Sequence, residues 1–110
     1  MNRNFIGEFE ELVLTIVAIL GEESYGGRIV EEIEDKVDRK VSLSAVHITL
    51  YRLEDKGLLK SEMGKPSGTR GGRRKRIFTI SNAGVTMLKE LNNQRKRLFK
   101  LIPQFNLSLL

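Results

Sequence analysis

Six of the twelve residues at positions 65–76 are basic and none is acidic, in the sequence KPSGTRGGRRKR. Clustered Lys and Arg side chains are the electrostatic footprint of a surface that binds a polyanion such as nucleic acid. An isolated basic run is equally typical of a solvated, flexible loop, so its context has to decide between the two interpretations. If the run does contact phosphates, it supplies affinity and salt dependence rather than sequence discrimination.

The positive charge of the chain is concentrated in this run. Residues 1–64 carry 8 basic and 13 acidic side chains, whereas residues 77–110 carry 5 basic and 1 acidic one, and the net charge of the whole chain is +5. The acidic first part argues against uniform coating by nucleic acid. It predicts that any such binding is confined to one face of the molecule.

Catalytic and metal sites are disfavoured by the residue types that the chain lacks. There is no Cys, and His47 is the single His. A thiolate nucleophile, a disulfide, a Cys-based metal centre and a two-His metal site are therefore excluded. His47 also has no acidic residue nearby in sequence to orient it as a general base. We expect no enzyme activity, no metal and no cofactor, and interpret His47 as a base or phosphate contact or as a plain surface residue.

The length and composition are typical of one folded domain. The chain has 110 residues, and its hydrophobic fraction of 40% is far above that of disordered chains. The longest apolar run, Leu12 to Leu20, is about half as long as a membrane span, and acidic residues precede it. We therefore expect a soluble protein of the cytoplasm. The absence of Cys fits this location, because the cytoplasm is a reducing compartment.

Two helices are predicted in the acidic first part. The first covers Glu8 to Leu20, where apolar residues recur at helical spacing, and it ends at Gly21. Its second half is apolar on nearly all sides, so we expect it to be buried on more than one side. The second helix is predicted from an N-cap at Ser24 to about Val37.

The predicted third helix has a narrow apolar stripe that would face the core and a polar face that would point outward. It is predicted from a cap at Ser42 or Ser44 to about Lys56, before Gly57. A helical wheel with 100° per residue places the apolar side chains of Val46, Leu50 and Leu53 in one stripe about 80° wide. The opposite face carries Ser44, His47, Ile48, Tyr51, Arg52 and Asp55. Groups of these types can reach base edges or phosphates.

A hairpin and a last helix complete the predicted elements. Strands at Leu58 to Met63 and Lys75 to Ser81 flank the basic run, which becomes a long hairpin tip. The last helix begins after Ser81 and ends near Leu101, before Pro103. Residues of this part follow the alternating spacing of three and four that is typical of a short coiled-coil seam: Leu88, Leu91, Arg95, Leu98, Ile102 and Phe105. The seam favours a dimer, although the helix could also pack on its own core.

Three helices followed by a hairpin are typical of the winged helix-turn-helix, so the predicted fold class is mainly α (α+β) with a C-terminal dimerisation helix. Residues 1–81 would form the DNA-binding domain and residues 82–110 the dimerisation helix with a short tail, in one compact unit. In this fold the third helix enters the major groove of DNA. The predicted DNA contacts are Tyr25, Ser44, His47, Ile48, Tyr51, Arg52, Arg70, Arg73, Arg74 and Lys75. For Tyr25, a phosphate contact and plain packing are weighed evenly.

The sequence resembles the PadR family of bacterial transcriptional regulators in four stretches, namely residues 7–14 (GEFEELVL), 24–29 (SYGGRI), 41–58 (VSLSAVHITLYRLEDKGL) and 70–84 (RGGRRKRIFTISNAG). The resemblance implies a homodimeric repressor that binds a palindromic operator and that a small molecule can release. It also implies that the first and last helices form the dimer interface, which would contain Leu12, Ile16, Leu88, Leu91, Leu98, Ile102 and Phe105. The family often has Tyr at the position of His47 and Thr or Pro at that of Ile48, a departure that implies a different operator preference.

A function of another class stays open at this point. A winged helix can also serve as a protein–protein or RNA-binding module, in which the basic hairpin would meet an acidic partner. The two functions differ in one property that can be measured. A specific regulator binds its duplex at least about 10³-fold more tightly than random duplex, whereas the alternative module does not.

Overall fold

The mainly α fold with a single hairpin is confirmed by the computed structural model, which describes residues 6–65 and 74–103. Its helices are α1 (Glu8–Leu20), α2 (Gly26–Val37), α3 (Leu43–Asp55) and α4 (Asn82–Lys100), and its strands are β1 (Leu59–Met63) and β2 (Arg76–Ile80). A short 3-10 turn, Gly21–Glu23, connects α1 to α2. None of the helices in these two ranges is long and apolar enough to cross a membrane.

The core lies between α1, α2, α3 and the inner face of the hairpin. The predicted stripe of α3 is confirmed, since Val46, Leu50 and Leu53 are fully buried. The main buried apolar side chains from the other elements are Val13, Leu14, Val17, Ile29, Ile33, Leu58, Leu59 and Phe78. In the second half of α1, which we expect to be buried on more than one side, Leu14, Ile16 and Val17 are buried, whereas Ile19 is 58% exposed at the end of the helix.

Ser24 does not cap α2, and that prediction is wrong. The N-cap is Tyr25, and the helix begins at Gly26. The preceding 3-10 turn rotates Ser24 inward, where its hydroxyl is buried without a hydrogen-bond partner in the described part of the chain. The carbonyl of Ser24 instead accepts a hydrogen bond of 2.9 Å from the backbone N–H of Phe78. The residue therefore attaches β2 to the start of α2.

Two other serines cap helices in the expected way. For α3, the Ser42 hydroxyl accepts from the N–H of Ala45 at 3.0 Å, which decides between the two candidate caps. For α4, the Ser81 hydroxyl accepts from the N–H of Gly84 at 3.1 Å and donates to the carbonyl of Gly57 at 2.7 Å. Ser81 therefore fixes the start of α4 to the end of α3.

The hairpin is antiparallel and pairs Leu59 with Ile80, Ser61 with Phe78 and Met63 with Arg76. At the end next to the connecting loop, the N–H of Gly64 donates to the carbonyl of Lys75 at 2.7 Å. The tip of the hairpin, residues 66–73, lies outside the described residues, and with it lie the predicted contacts Arg70 and Arg73.

The buried and half-buried residues of helix α4 all lie in its first half. Gly84 and Met87 are buried, Leu88 and Leu91 are half-buried, and every residue from 92 to 103 is exposed. The Cα radius of gyration is 16.5 Å, compared with about 13 Å for a compact chain of about 100 residues. The second half of α4 therefore projects from the body and is largely exposed to solvent.

Two residues predicted to lie in a dimer seam or interface contact their own chain. Ile16 is 2% exposed and belongs to the core, so we remove it from the interface. The guanidinium of Arg95 pairs with the Glu11 carboxylate of α1 at 2.9 Å. The hydrogen bond from Arg95 to Glu11 raises the pKa of Arg95 above its usual value. Phe105, also assigned to the interface, lies outside the described residues.

Replacing the two serines separately tests their different roles. In Ser42→Ala, α3 loses its cap, and the free energy of unfolding in urea should fall by about 1 kcal/mol. In Ser24→Ala, a buried hydroxyl without a partner is removed, and the free energy should stay the same or rise by up to about 1 kcal/mol. A loss in Ser24→Ala equal to that in Ser42→Ala would contradict the role assigned to Ser24.

Gly84→Ala should lower the free energy of unfolding by about 2 kcal/mol, because overpacking forces the backbone apart. A Cβ at this position would collide with the carbonyl oxygen of Leu58 and would lie 2.6 Å from Cγ1 of Ile80. The matched control is Gly27→Ala, whose Cβ would meet nothing closer than Tyr25 at 3.7 Å. Equal stabilities of the two variants in urea denaturation would show that α4 does not dock closely at Gly84.

Candidate nucleic-acid interface

A groove of about 540 Å³ opens between the start of α2, the exposed side of α3 and strand β2. Predicted contacts from all three elements line it, namely Tyr25 from the start of α2, His47 and Tyr51 from α3, and Arg74 and Lys75 next to β2. These residues are up to 50 positions apart in sequence. The fold therefore brings the predicted contacts from α2, α3 and the hairpin together in one groove.

The side chains of α3 form two adjacent rows beside this groove. Leu43, His47 and Tyr51, spaced by four residues, line the groove itself. The second row consists of Ser44, Ile48 and Arg52, which are exposed but do not line it. Since each residue advances the helix by 100°, the second row faces outward next to the first. Ile48, an apolar residue of this row, is 55% exposed.

Strand β2 is held against α3 by an aromatic contact. The ring of Tyr51 meets the ring of Phe78 edge to face, with 5.7 Å between the centroids and 74° between the planes. Phe78 is 1% exposed, so its ring forms the floor beneath Tyr51. Edge-to-face pairs of this kind contribute beyond the area that they bury. The contact keeps the hairpin and the exposed side of α3 in a constant relative position.

A second contact links the hairpin to the start of α2. The ammonium group of Lys75 lies 4.4 Å from the centroid of the Tyr25 ring, within the range of a cation–π interaction. Next to it, the hydrogen bond from Phe78 to Ser24 joins the backbones. The hairpin is therefore attached to both α2 and α3, which form the helix-turn-helix pair.

Gly26 permits the close approach of α2 and α3 and was not identified as a site residue from the sequence. A Cβ at this position would collide with the His47 ring, at 2.8 Å from its Cδ2, and would lie 3.0 Å from Cδ1 of Leu43. In the sequence, only the pair of glycines that follows Tyr25 indicates a close approach here. The local sequence does not show what approaches Gly26, because His47 is 21 residues further along the chain.

Within residues 6–65 and 74–103, half of the acidic side chains, seven of fourteen, form an ion pair with a basic residue. On α2, Glu32 is bridged by Arg28 at 2.9 Å and by Lys36 at 2.8 Å, and the hydrogen bond from Lys36 lowers the pKa of Glu32. On α1, Glu10 pairs with Lys56 at 3.0 Å. Burial raises the pKa of Glu10, but hydrogen bonds from the Gly7 N–H and Lys56, with a smaller effect of Arg52, lower it below its usual value.

The cations beside the groove have no such partners. Within residues 6–65 and 74–103, no acidic side chain forms an ion pair with Arg52, Arg74 or Lys75. In particular, Arg52 does not pair with Asp55, which lies three residues further along α3. One acidic residue, Glu31, does line the groove and was not predicted there. The other side chains that line the groove are aromatic rings, an imidazole, cations and the apolar side chain of Leu43.

Comparison with known proteins agrees with this architecture. Residues 13–90 match the sequence profile described as the transcriptional regulator PadR-like family. No curated protein matches significantly.

Solved structures with the same fold include a PadR family regulator from Clostridium difficile R20291, 25% identical, with a TM-score of 0.70 over 90% of this chain and 98% of that one. A PadR-like transcription factor from Bacteroides fragilis is 19% identical, with a TM-score of 0.71 over 86% of this chain and 85% of that one.

A third structure shows Bacillus subtilis PadR in complex with operator DNA. It is 19% identical to this chain, with a TM-score of 0.64, and the similarity covers 76% of this chain but 46% of that one. The profile match spans most of the chain described above, from α1 to α4. The chain therefore belongs to the PadR-like family of transcriptional regulators.

Proposed function

We propose that this chain is a transcriptional repressor of the cytoplasm that binds a palindromic DNA operator as a homodimer, by binding alone and without catalysis. The observation that carries the proposal is the convergence of Tyr25, His47, Tyr51, Arg74 and Lys75 on one groove, in which the two cations form no ion pair within residues 6–65 and 74–103. The complex of Bacillus subtilis PadR with operator DNA supports DNA as the polyanion.

Helix α3 is the element that would read the sequence. The major groove of B-DNA is about 12 Å wide and admits one helix. The outward row of α3 offers a guanidinium for guanine at Arg52, an apolar surface for a thymine methyl group at Ile48 and a hydroxyl at Ser44. Because the side chain of Ile48 is largely exposed, contact with DNA would remove it from water.

The start of α2 and the hairpin would contact the phosphates. The side chain of the N-cap residue Tyr25 makes no cap hydrogen bond to the first N–H groups of α2, so these amides would be available to an anion. Gly27, next to them, carries no side chain that would obstruct its approach. Arg74 and Lys75 stand on the opposite wall of the groove. Arg70 and Arg73, outside the described residues, would extend the same positive surface.

A second copy would cover the apolar surface of α4. Its exposed second half and the residues after it carry Leu98, Phe99, Leu101 and Ile102, and Leu101 is 77% exposed. Together with the half-buried Leu12, Leu88 and Leu91, these side chains form the proposed dimer interface. A two-fold dimer presents two α3 helices and therefore matches a palindromic site. The family resemblance supports a small-molecule effector as the signal that releases DNA.

Selection of bound duplexes from a random pool tests this function. We expect enrichment of an inverted repeat whose half-sites lie about 10 base pairs apart, and binding at least about 10³-fold tighter than to random duplex at physiological salt. Sedimentation of the complex should show two chains for each duplex. Equal affinity for all duplexes would contradict the proposal and favour the alternative of a protein-binding or RNA-binding module.

Arg74→Ala should weaken binding to all duplexes by a similar factor, because a phosphate contact carries no sequence information. The slope of log K against log salt should become shallower by about 0.9 for each phosphate that the variant no longer neutralises. The matched control is Arg97→Ala, on the exposed half of α4, which should change neither quantity. A changed sequence preference with an unchanged salt slope in Arg74→Ala would show that Arg74 reads bases instead.

A further inference from the structure

Tyr25 occupies the junction between the hairpin and the helix pair. Its backbone is extended and forms the N-cap of α2, and its ring lies along the first turn of that helix, near Gly27. Tyr25 and Lys75 also line a second, smaller groove, together with Glu22 and Glu23 and with Gly64, Lys65 and Ile77 of the hairpin. Tyr25 therefore contributes to both grooves and is half-buried.

Lys75 is the hairpin residue that this ring holds. It is one residue before β2 and follows residues 66–74 in the sequence, which carry Arg70, Arg73 and Arg74 of the basic run. Its ammonium group stands over the Tyr25 ring at 4.4 Å, and its carbonyl accepts from the N–H of Gly64. Because the π face of a ring carries partial negative charge, it attracts this cation without neutralising it. The charge stays available to a phosphate.

We propose that Tyr25 is a positioning residue, which acts through the face of its ring on Lys75 and so directs the basic hairpin toward the DNA that α3 contacts. In this role the hydroxyl of Tyr25 is dispensable and the ring is required. The proposal rests on the function proposed above. It decides between the two roles that the sequence left open for Tyr25, a phosphate contact through the hydroxyl and a packing role.

The interaction itself can be tested without DNA. Protons above an aromatic ring shift upfield, so the Cε protons of Lys75 should resonate upfield of those of Lys89, which lies on α4 away from the hairpin. The shift should persist in Tyr25→Phe and disappear in Tyr25→Leu. An unchanged shift in Tyr25→Leu would overturn the proposal at its first step, whatever the protein binds.

Affinity for the selected duplex tests the role. Tyr25→Phe should bind as the wild type does, whereas Tyr25→Leu should bind about 3- to 10-fold more weakly, as expected when a cation–π interaction is removed. In a Lys75→Gln background, Tyr25→Leu should cause no further decrease, because the two residues act through one interaction. The matched control is Phe9→Leu, which removes another cation–π pair, with Arg39 at 5.2 Å, from a position outside the groove. It should leave affinity unchanged.

Two results would overturn the role of Tyr25 while leaving the proposed function intact. If Tyr25→Phe loses as much affinity as Tyr25→Leu, the hydroxyl contacts the DNA directly. If the decreases in Tyr25→Leu and Lys75→Gln add fully, the two residues act independently. By contrast, a wild-type protein that shows the upfield Lys75 shift but binds no duplex would contradict the proposed function, and this role with it.

Discussion

Phe78 joins the hairpin to the helix-turn-helix pair at two points, and the shape of the candidate interface depends on this attachment. Its N–H donates to the carbonyl of Ser24 at 2.9 Å, which fixes β2 to the start of α2. Its buried ring meets Tyr51, which fixes β2 to α3. Without both contacts, the cations next to β2 would have no constant position relative to the exposed rows of α3.

The distribution of charge follows from the same arrangement. Acidic side chains of α1 and α2 pair with basic partners in their own chain, such as Glu10 with Lys56 and Glu11 with Arg95. Pairs on the surface contribute little to stability individually. These pairs neutralise part of the acidic charge of the helices, whereas Arg74 and Lys75 line the groove and form no ion pair within residues 6–65 and 74–103. A chain with a modest net charge of +5 thereby presents a cationic face.

The elements were predictable where a local pattern decides them. The bounds of α1 and the buried stripe of α3 follow from periodicity, and Gly21 ends α1 with a positive φ of 60° as expected. The start of α2 was not predictable in this way, since Ser24 has the chemistry of a cap but is turned inward by the 3-10 turn before it. For Ile16, an apolar pattern alone does not distinguish core from interface, because both require the same residue types.

The candidate site was predictable in its residue types but not in its geometry. Exposed polar and aromatic groups on α3 and a basic run are visible in the sequence, and they identify His47, Tyr51 and Lys75. The close fit of Gly26 to His47 and the ring of Tyr25 beneath Lys75 depend on tertiary contacts between distant residues. Glu31 was missed for the same reason, since only the packing of α2 on α3 brings it to the groove.

The central claim is that one face, formed by the start of α2, the exposed side of α3 and the base of the hairpin, binds duplex DNA. Titration of the isotopically labelled protein with a selected duplex measures this directly through the shifts of its backbone amides. The largest changes should occur at Gly26, His47 and Lys75, with little change at Thr15 and Lys89 in the groove between α1 and α4. Changes centred on Thr15 and Lys89, with the amides around His47 unaffected, would contradict the claim.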